Sequence, residues 1–197
     1  MIGIVNYGAG NIFSLTAALD RLNVTYGMVN TESDLEKYSR IIIPGVGHAG
    51  AAMEKLKGTG LVEAIKKLTK PVLGICVGMQ LITEHSEEGN AALLNIVPVK
   101  TKKFDKSLNI KIPHMGWNAV SPKNNSLFEG VEDNTQFYFV HSYFIEYNPT
   151  FDIASADYGL KFSAAVQKDN FYGVQFHPEK SGKAGELVLK NFSNLSL

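Results

Sequence analysis

Cysteine is almost missing from this chain: Cys76 is the only one among 197 residues. That excludes an intrachain disulfide, and a reactive lone thiol is best kept in a reducing compartment. Net charge is missing as well. The 19 basic residues balance the 19 acidic ones, so no surplus marks a nucleic-acid surface or an anionic-membrane surface. No apolar run approaches the roughly 20 residues of a membrane span. Met1 to Asn6 reads directly as a strand, without the basic region and cleavage site of a leader peptide. His and Cys form no cluster at metal-ligand spacing, and repeats, low-complexity tracts and linker-like stretches are lacking. The expectation is one cytoplasmic domain over 1–197, long enough to bury a sizeable core.

What is present centres on Lys70-Pro71-Val72-Leu73-Gly74-Ile75-Cys76-Val77-Gly78-Met79-Gln80. Val72 to Ile75 is a short apolar run that reads as a buried strand. Gly74-x-Cys76-x-Gly78 then leads into residues able to form a helix, Val77 to Glu84. This is the strand–turn–helix spelling of a nucleophile elbow, with Cys76 in the place of the usual serine. A sulfur at a helix start meets free N–H groups and the positive end of the dipole, which favour a thiolate. A buried structural thiol is the plainer reading, but such cysteines rarely sit between two glycines at a sharp turn.

A thiolate needs a base. Tyr172-Gly173-Val174-Gln175-Phe176-His177-Pro178-Glu179-Lys180-Ser181 supplies one. Pro178 biases His177 toward extended backbone, where residues two apart face the same way. His177 and Glu179 are therefore expected side by side, as acid/base and orienter for Cys76. Alone, His-Pro-Glu would be a structural turn; the elbow far upstream gives it weight.

Along the chain, Val24 to Val29 suggests a second strand, Glu32 to Tyr38 a short helix and Arg40 to Ile43 a third strand. Ile12, Leu15, Ala18, Leu19 and Leu22 fall at helical spacing, and Ala51 to Leu68 reads as a helix interrupted at Gly58-Thr59-Gly60. Alternation at this pace implies a parallel α/β sheet whose site lies at the strands' carboxyl ends. Pro44-Gly45-Val46-Gly47 ends the third strand. It is either an ordinary tight turn or a set of N–H groups aimed at an oxyanion. Gly8-x-Gly10 invites a dinucleotide reading, but the third glycine of that fingerprint would fall on Phe13. His48 reads as a solvated loop histidine. Glu84-His85-Ser86-Glu87-Glu88-Gly89 reads as a solvated helix end, and Gln80, one turn past Cys76, projects near the nucleophile. From Leu93 to Val166 short β-like runs alternate with turns, with Phe104 to Asn109 as an exposed loop. Thr135 to Val140 is an aromatic strand, and the only tryptophan, Trp117, reads as core. Lys183 to Phe192 closes the chain as an amphipathic helix.

Gly-Ile-Cys-Val-Gly-Met-Gln and Gln-Phe-His-Pro-Glu-Lys-Ser resemble the class I (triad) glutamine amidotransferases. Pro44-Gly45-Val46-Gly47, Pro113-His114-Met115-Gly116-Trp117-Asn118 and Tyr138-Phe139-Val140-His141-Ser142-Tyr143 narrow the likeness to glutaminase subunits of imidazole glycerol phosphate synthases. The resemblance implies a flavodoxin-like three-layer α/β fold, with an open, mostly parallel central sheet, flanking helices and added strands in the second half. It implies Cys76, His177 and Glu179 as the triad that hydrolyses L-glutamine, without cofactor or metal. Gly45, Val46, Gly47 and Val77 would serve the oxyanion. Gln80 and Glu88 would hold the amino-acid head, and His141, Ser142 and Tyr143 would clamp its carboxylate. Asn11, Ser14, Trp117, Tyr138 and Lys180 would face a (β/α)8-barrel synthase subunit in a heterodimer, to which the ammonia passes. Relatives often carry aspartate where this chain has Asn6. Three rivals remain in the sequence: a paralogue feeding a sugar-amidinating synthase, a binding-only regulatory subunit, and a peptidase-like thiol hydrolase. The intact triad argues against the second, and the Gln80, Glu88 and His141-Ser142-Tyr143 pattern against the third.

Overall fold

The computed structural model describes residues 1–195; the last two positions of the expected domain lie outside the described residues. The first half alternates as its apolar spacing demands. β1 (Ile2–Val5) and α1 (Ile12–Arg21) lead to β2 (Tyr26–Val29), α2 (Glu32–Glu36) and β3 (Arg40–Ile43). Then come α3 (Ala49–Gly58), α4 (Val62–Lys66), β4 (Val72–Ile75) and α5 (Val77–Leu81), with the helix break where Thr59-Gly60 predicts it. The second half supplies β5 (Thr83–Ser86), β6 (Ala91–Ala92), β7 (Val97–Lys103), β8 (His114–Pro122), β9 (Thr135–His141) and β10 (Tyr143–Glu146). β11 (Asp152–Asp157), β12 (Lys161–Lys168), β13 (Phe171–Val174) and α6 (Gly182–Asn194) complete it.

The sheet runs β2-β1-β3-β4-β13-β12-β10-β7-β5-β6, with β11, β8 and β9 branching from β12. Its first five strands are all parallel, as expected. Helices flank this half, and an Arg21–Glu186 ion pair of 2.7 Å ties α1 to α6. β13 pairs β12 antiparallel, and the added strands continue from there. The decisive juxtaposition is β4 beside β13, with Gly74 opposite Gly173 and Ile75 opposite Val174. It sets the elbow and the His177 segment side by side at the carboxyl edge. Phe176, fully buried, wedges that segment into an aromatic core, 4.1 Å from Phe137 and 5.9 Å from Phe139 between ring centroids. Burying such a ring is worth about 1.5–3 kcal/mol.

Two expectations fail here. The helix after Cys76 stops at Leu81 rather than Glu84, and Thr83–Ser86 forms a strand against β7. The β-branched pair Ile82-Thr83 favours that change, and the Thr83 hydroxyl donates to the Gln80 carbonyl at 2.7 Å, closing the last turn. The acidic stretch Glu84 to Glu88 is thus a strand between β7 and β6 followed by a turn, not a helix end. Phe104 is no loop residue either: it is 1% exposed, 4.5 Å from the Phe144 ring, while Lys106–Leu108 forms a short 3-10 turn beside it. Smaller differences are at ends: β2 starts at Tyr26, and α2 stops at Glu36.

Candidate active site

The elbow is built by close approach. A Cβ on Gly78 would lie 1.9 Å from the Ile43 carbonyl oxygen, so only glycine lets α5 seat against the end of β3. Cys76 takes φ 53° and ψ −109°, a strained backbone for a residue with a side chain. Its amide donates to the Val174 carbonyl at 2.8 Å, which pins the turn to β13. With α5 only five residues long, support for a thiolate comes from first-turn N–H groups more than from an extended dipole.

His177 meets the same cavity. Its amide donates to the Tyr138 carbonyl at 2.9 Å, and its carbonyl accepts from Lys180 N and Ser181 Oγ at 3.0 and 2.6 Å. The Nδ1 atom lies 2.8 Å from Glu179 Oε1. The pair forms as expected, but not through strand alternation. Only His177 is extended; Pro178–Lys180 is a 3-10 turn, nucleated by proline at its first position, and that turn swings Glu179 under the ring. The Nε2 atom is buried without a well-formed hydrogen bond and shares the cavity with the Cys76 sulfur. Burial of the ring opposes protonation, but the Cys76 sulfur and the Glu179 carboxylate outweigh it and raise the His177 pKa above the ordinary histidine value. The arrangement favours a proton on the imidazole.

The cavity holds about 320 Å³. Of the expected substrate side, Val46, Gly47, Val77, Gln80, Glu88, His141, Ser142 and Tyr143 line it together with Cys76 and His177; Gly45 does not. Gly45 lies behind, packed so that a Cβ would meet Gly78 N at 2.5 Å. Glu88 Oε2 accepts from the Ala49 amide at 2.6 Å, at the start of α3. The exposed His48 caps that helix, its Nδ1 accepting from Ala51 N at 3.2 Å. Among the described residues, no three His, Cys, Asp or Glu side chains stand close enough to hold a metal ion, and no helix is long and apolar enough to cross a membrane.

Beside the cavity lies an exposed apolar face, which includes Trp117 at 56% exposure, so tryptophan is not core. Phe13 and Met115 are exposed too. Tyr138 stands edge-on to Trp117 with ring centroids 6.1 Å apart, and Lys180 Nζ lies 6.0 Å from the Tyr138 ring. Asn11 caps α1, accepting from Ser14 N at 3.3 Å and donating to Ser14 Oγ at 2.8 Å. A narrow crevice lined by Asn11, Val46, His177 and Glu179 brings Asn11 to the back of the triad. Asn6 binds Asn30 Oδ1 at 2.9 Å, a neutral pairing.

Four residues escape sequence reasoning. Tyr7 donates to the Pro44 carbonyl at 2.5 Å and anchors the start of the glycine turn. Pro113 and Val140 complete the cavity wall. His114, buried, joins His141 through an Nδ1–Nε2 contact of 2.9 Å. Pro113, His114 and Val140 stood inside quoted motifs but were given no role there, and Tyr7 carried no signal.

The sequence model of the family "Glutamine amidotransferase class-I" matches residues 3–194. The chain belongs to that family. Among class-I amidotransferase relatives, subunit HisH of imidazole glycerol phosphate synthase from Bacteroides thetaiotaomicron is 49% identical, covering 98% of this chain and 99% of its own. The HisH subunit from Haemophilus influenzae is 48% identical, covering 97% and 96%. The solved structure of PurLQS from Thermotoga maritima superposes with a TM-score of 0.73 over 98% of this chain and 97% of its own. At 16% identity, it speaks for the amidotransferase fold alone.

Proposed function

We propose that this chain is the glutaminase subunit of an imidazole glycerol phosphate synthase, acting in histidine biosynthesis. In this reading it works in the cytoplasm as one domain over 1–197, and hands ammonia to a (β/α)8-barrel synthase subunit. The observation that carries the chemistry is the single cavity in which Cys76 and His177 meet. The near full-length likeness to HisH subunits supports the pathway.

The Cys76 thiolate attacks the side-chain carbonyl carbon of L-glutamine, and the carbonyl oxygen takes the charge. N–H groups of Val77 and of Val46–Gly47 receive that oxyanion. Protonated His177 gives its proton to the leaving nitrogen as the C–N bond breaks, which frees ammonia and leaves a glutamyl thioester on sulfur. Neutral His177 then takes a proton from water, whose hydroxide attacks the thioester carbon. Glutamate leaves, and the thiolate–imidazolium pair returns. Gln80, Glu88 and the Ser142–Tyr143 backbone hold the amino-acid head, by resemblance. The partner docks on the face of Asn11, Ser14, Trp117, Tyr138 and Lys180, with the exposed Phe13 and Met115 adding apolar area.

The test pairs the chain with its barrel subunit. Cys76→Ala is expected to abolish glutamine hydrolysis and glutamine-dependent synthesis while leaving ammonia-dependent synthesis intact. Turnover of glutamine by pure Cys76→Ala protein would refute the nucleophile. Failure to support synthesis with the barrel subunit would refute the pathway.

A further inference from the structure

Gln175 has no place in the triad, yet its side chain lies against the nucleophile. It is fully buried, and its Nε2 stands 3.7 Å from the Cys76 sulfur. Its Oε1 lies 3.2 Å from Gln80 Nε2, and that nitrogen also lies 3.2 Å from the Tyr143 carbonyl oxygen. A backbone carbonyl only accepts, so the Gln80 atom facing it is the amino nitrogen. The second hydrogen of that nitrogen then needs an acceptor, which must be the oxygen of Gln175. The amino end of Gln175 is left pointing at the sulfur.

The same carbonyl fixes a second branch. His141 Nδ1, 2.8 Å away, must donate to it, so His141 Nε2 accepts from His114 Nδ1. His114 Nε2 in turn accepts from Asn118 Nδ2 at 3.3 Å. Every donor and acceptor in this buried chain is thereby determined from one backbone oxygen.

We infer that Gln175 belongs to the catalytic machinery: it donates an N–H to the Cys76 sulfur and stabilises the thiolate, held in that orientation by Gln80 and the Tyr143 carbonyl. The inference rests on Cys76 being the nucleophile. Hydrogen bonds to an ionised partner are roughly twice as strong as neutral ones. A neutral amide also suits the place chemically. It favours the charged sulfur without offering a base that competes with His177 for the proton.

Because Cys76 is the sole cysteine, alkylation by iodoacetamide reports on this sulfur alone and requires neither glutamine nor a partner. Intact-mass rates across pH are compared for the unaltered chain, Gln175→Leu and Gln175→Glu. With the donor gone, the Gln175→Leu profile should move to higher pH, with alkylation at pH 7 slower by about tenfold. Gln175→Glu, which adds negative charge beside the sulfur, should move it further. A Gln175→Leu profile that overlays the unaltered one overturns the inference. Should neither variant fold, the side-chain amide of Gln175 is observed in 15N-labelled unaltered protein and in Cys76→Ala. The proton facing sulfur is expected to shift upfield when the sulfur is removed, and an unmoved resonance also overturns the inference. An error in the nucleophile itself would show separately, as glutamine turnover by Cys76→Ala.

Discussion

His177 and Glu179 touch at 2.8 Å but carry unequal loads. One transfers the proton, and the other orients the ring and balances its charge. A general acid/base contributes on the order of 100- to 10,000-fold. His177→Ala should therefore slow single-turnover thioester formation far more than Glu179→Gln does, and a larger defect in the Glu179 variant would reverse the roles. The histidines also divide by pH. The raised pKa of His177 contributes stability below its unfolded value near 6.5, and that stability is lost as pH climbs through the folded value. His114 and His141 run the other way. Burial holds His114 down to about 4, and burial together with the neighbouring His114 and His177 holds His141 down to about 3. Their neutral forms stabilise the fold above about pH 6.5, and the benefit drains away between there and about pH 4 for His114 and about pH 3 for His141. His114 stacks between Phe139 and Tyr158, so His114→Phe keeps the stacking while removing the titration, along with the donor to His141 Nε2, a loss that weighs on the stability at both pH values. Urea unfolding at pH 7 and pH 5 should show a loss on acidification about 2 kcal/mol smaller in this variant. Equal losses would mean that His114 is not held neutral by the fold.

Among the elements, the junction of β3, β4 and α5 tolerates least. Gly78→Ala would drive a methyl into the Ile43 carbonyl, against backbone that cannot rotate away. About 3 kcal/mol or more of stability should go with it, along with glutaminase activity; an unchanged urea midpoint would show that α5 can move off the sheet. This junction was legible in the sequence because its signals are local. The apolar run Arg40 to Ile43, the two glycines and Cys76 each state their own conformation. The end of α5 was not legible, since Thr83 becomes a strand only by pairing with Val97. Phe104 looked like loop for the same reason, its aromatic neighbours arriving from β8, β10 and β12. His177 and Glu179 were paired correctly, but by a turn that alternation does not describe. Gln175 stood inside a quoted motif and gained a role only when Gln80, 95 positions away, came to meet it.

For the molecule as a whole, control has a natural seat at Pro44–Gly47. The first half of that turn is fixed, with the Pro44 carbonyl held by Tyr7 and Gly45 wedged against Gly78. The second half is free: Val46 is 41% exposed, and Gly47 has φ +90° with open space around it. A peptide flip there would turn a donor toward or away from the oxyanion without disturbing the triad. One such donor is worth about 100- to 1,000-fold in rate. Glutaminase rates should therefore rise in order for the chain alone, with the proposed synthase subunit, and with that subunit carrying its own substrate. For this to happen, the loaded partner must bind the aligned turn better than the misaligned one. Equal rates in all three would sink the switch.

The pairing of β4 with β13 has a kinetic corollary. Nucleophile and base sit just beyond the ends of adjacent strands that are far apart in sequence; Cys76 and the Gln175 that touches it are 99 positions apart. Closing a loop of that length precedes any reward from the contacts it makes, so such pairings form slowly. Elements such as β1, α1 and β2 can assemble while the triad is still in pieces. In a refolding experiment, helical signal should recover before hydrolysis does. The appearance of glutaminase activity would then time the last long-range closure, and a half-folded chain would be unable to consume glutamine.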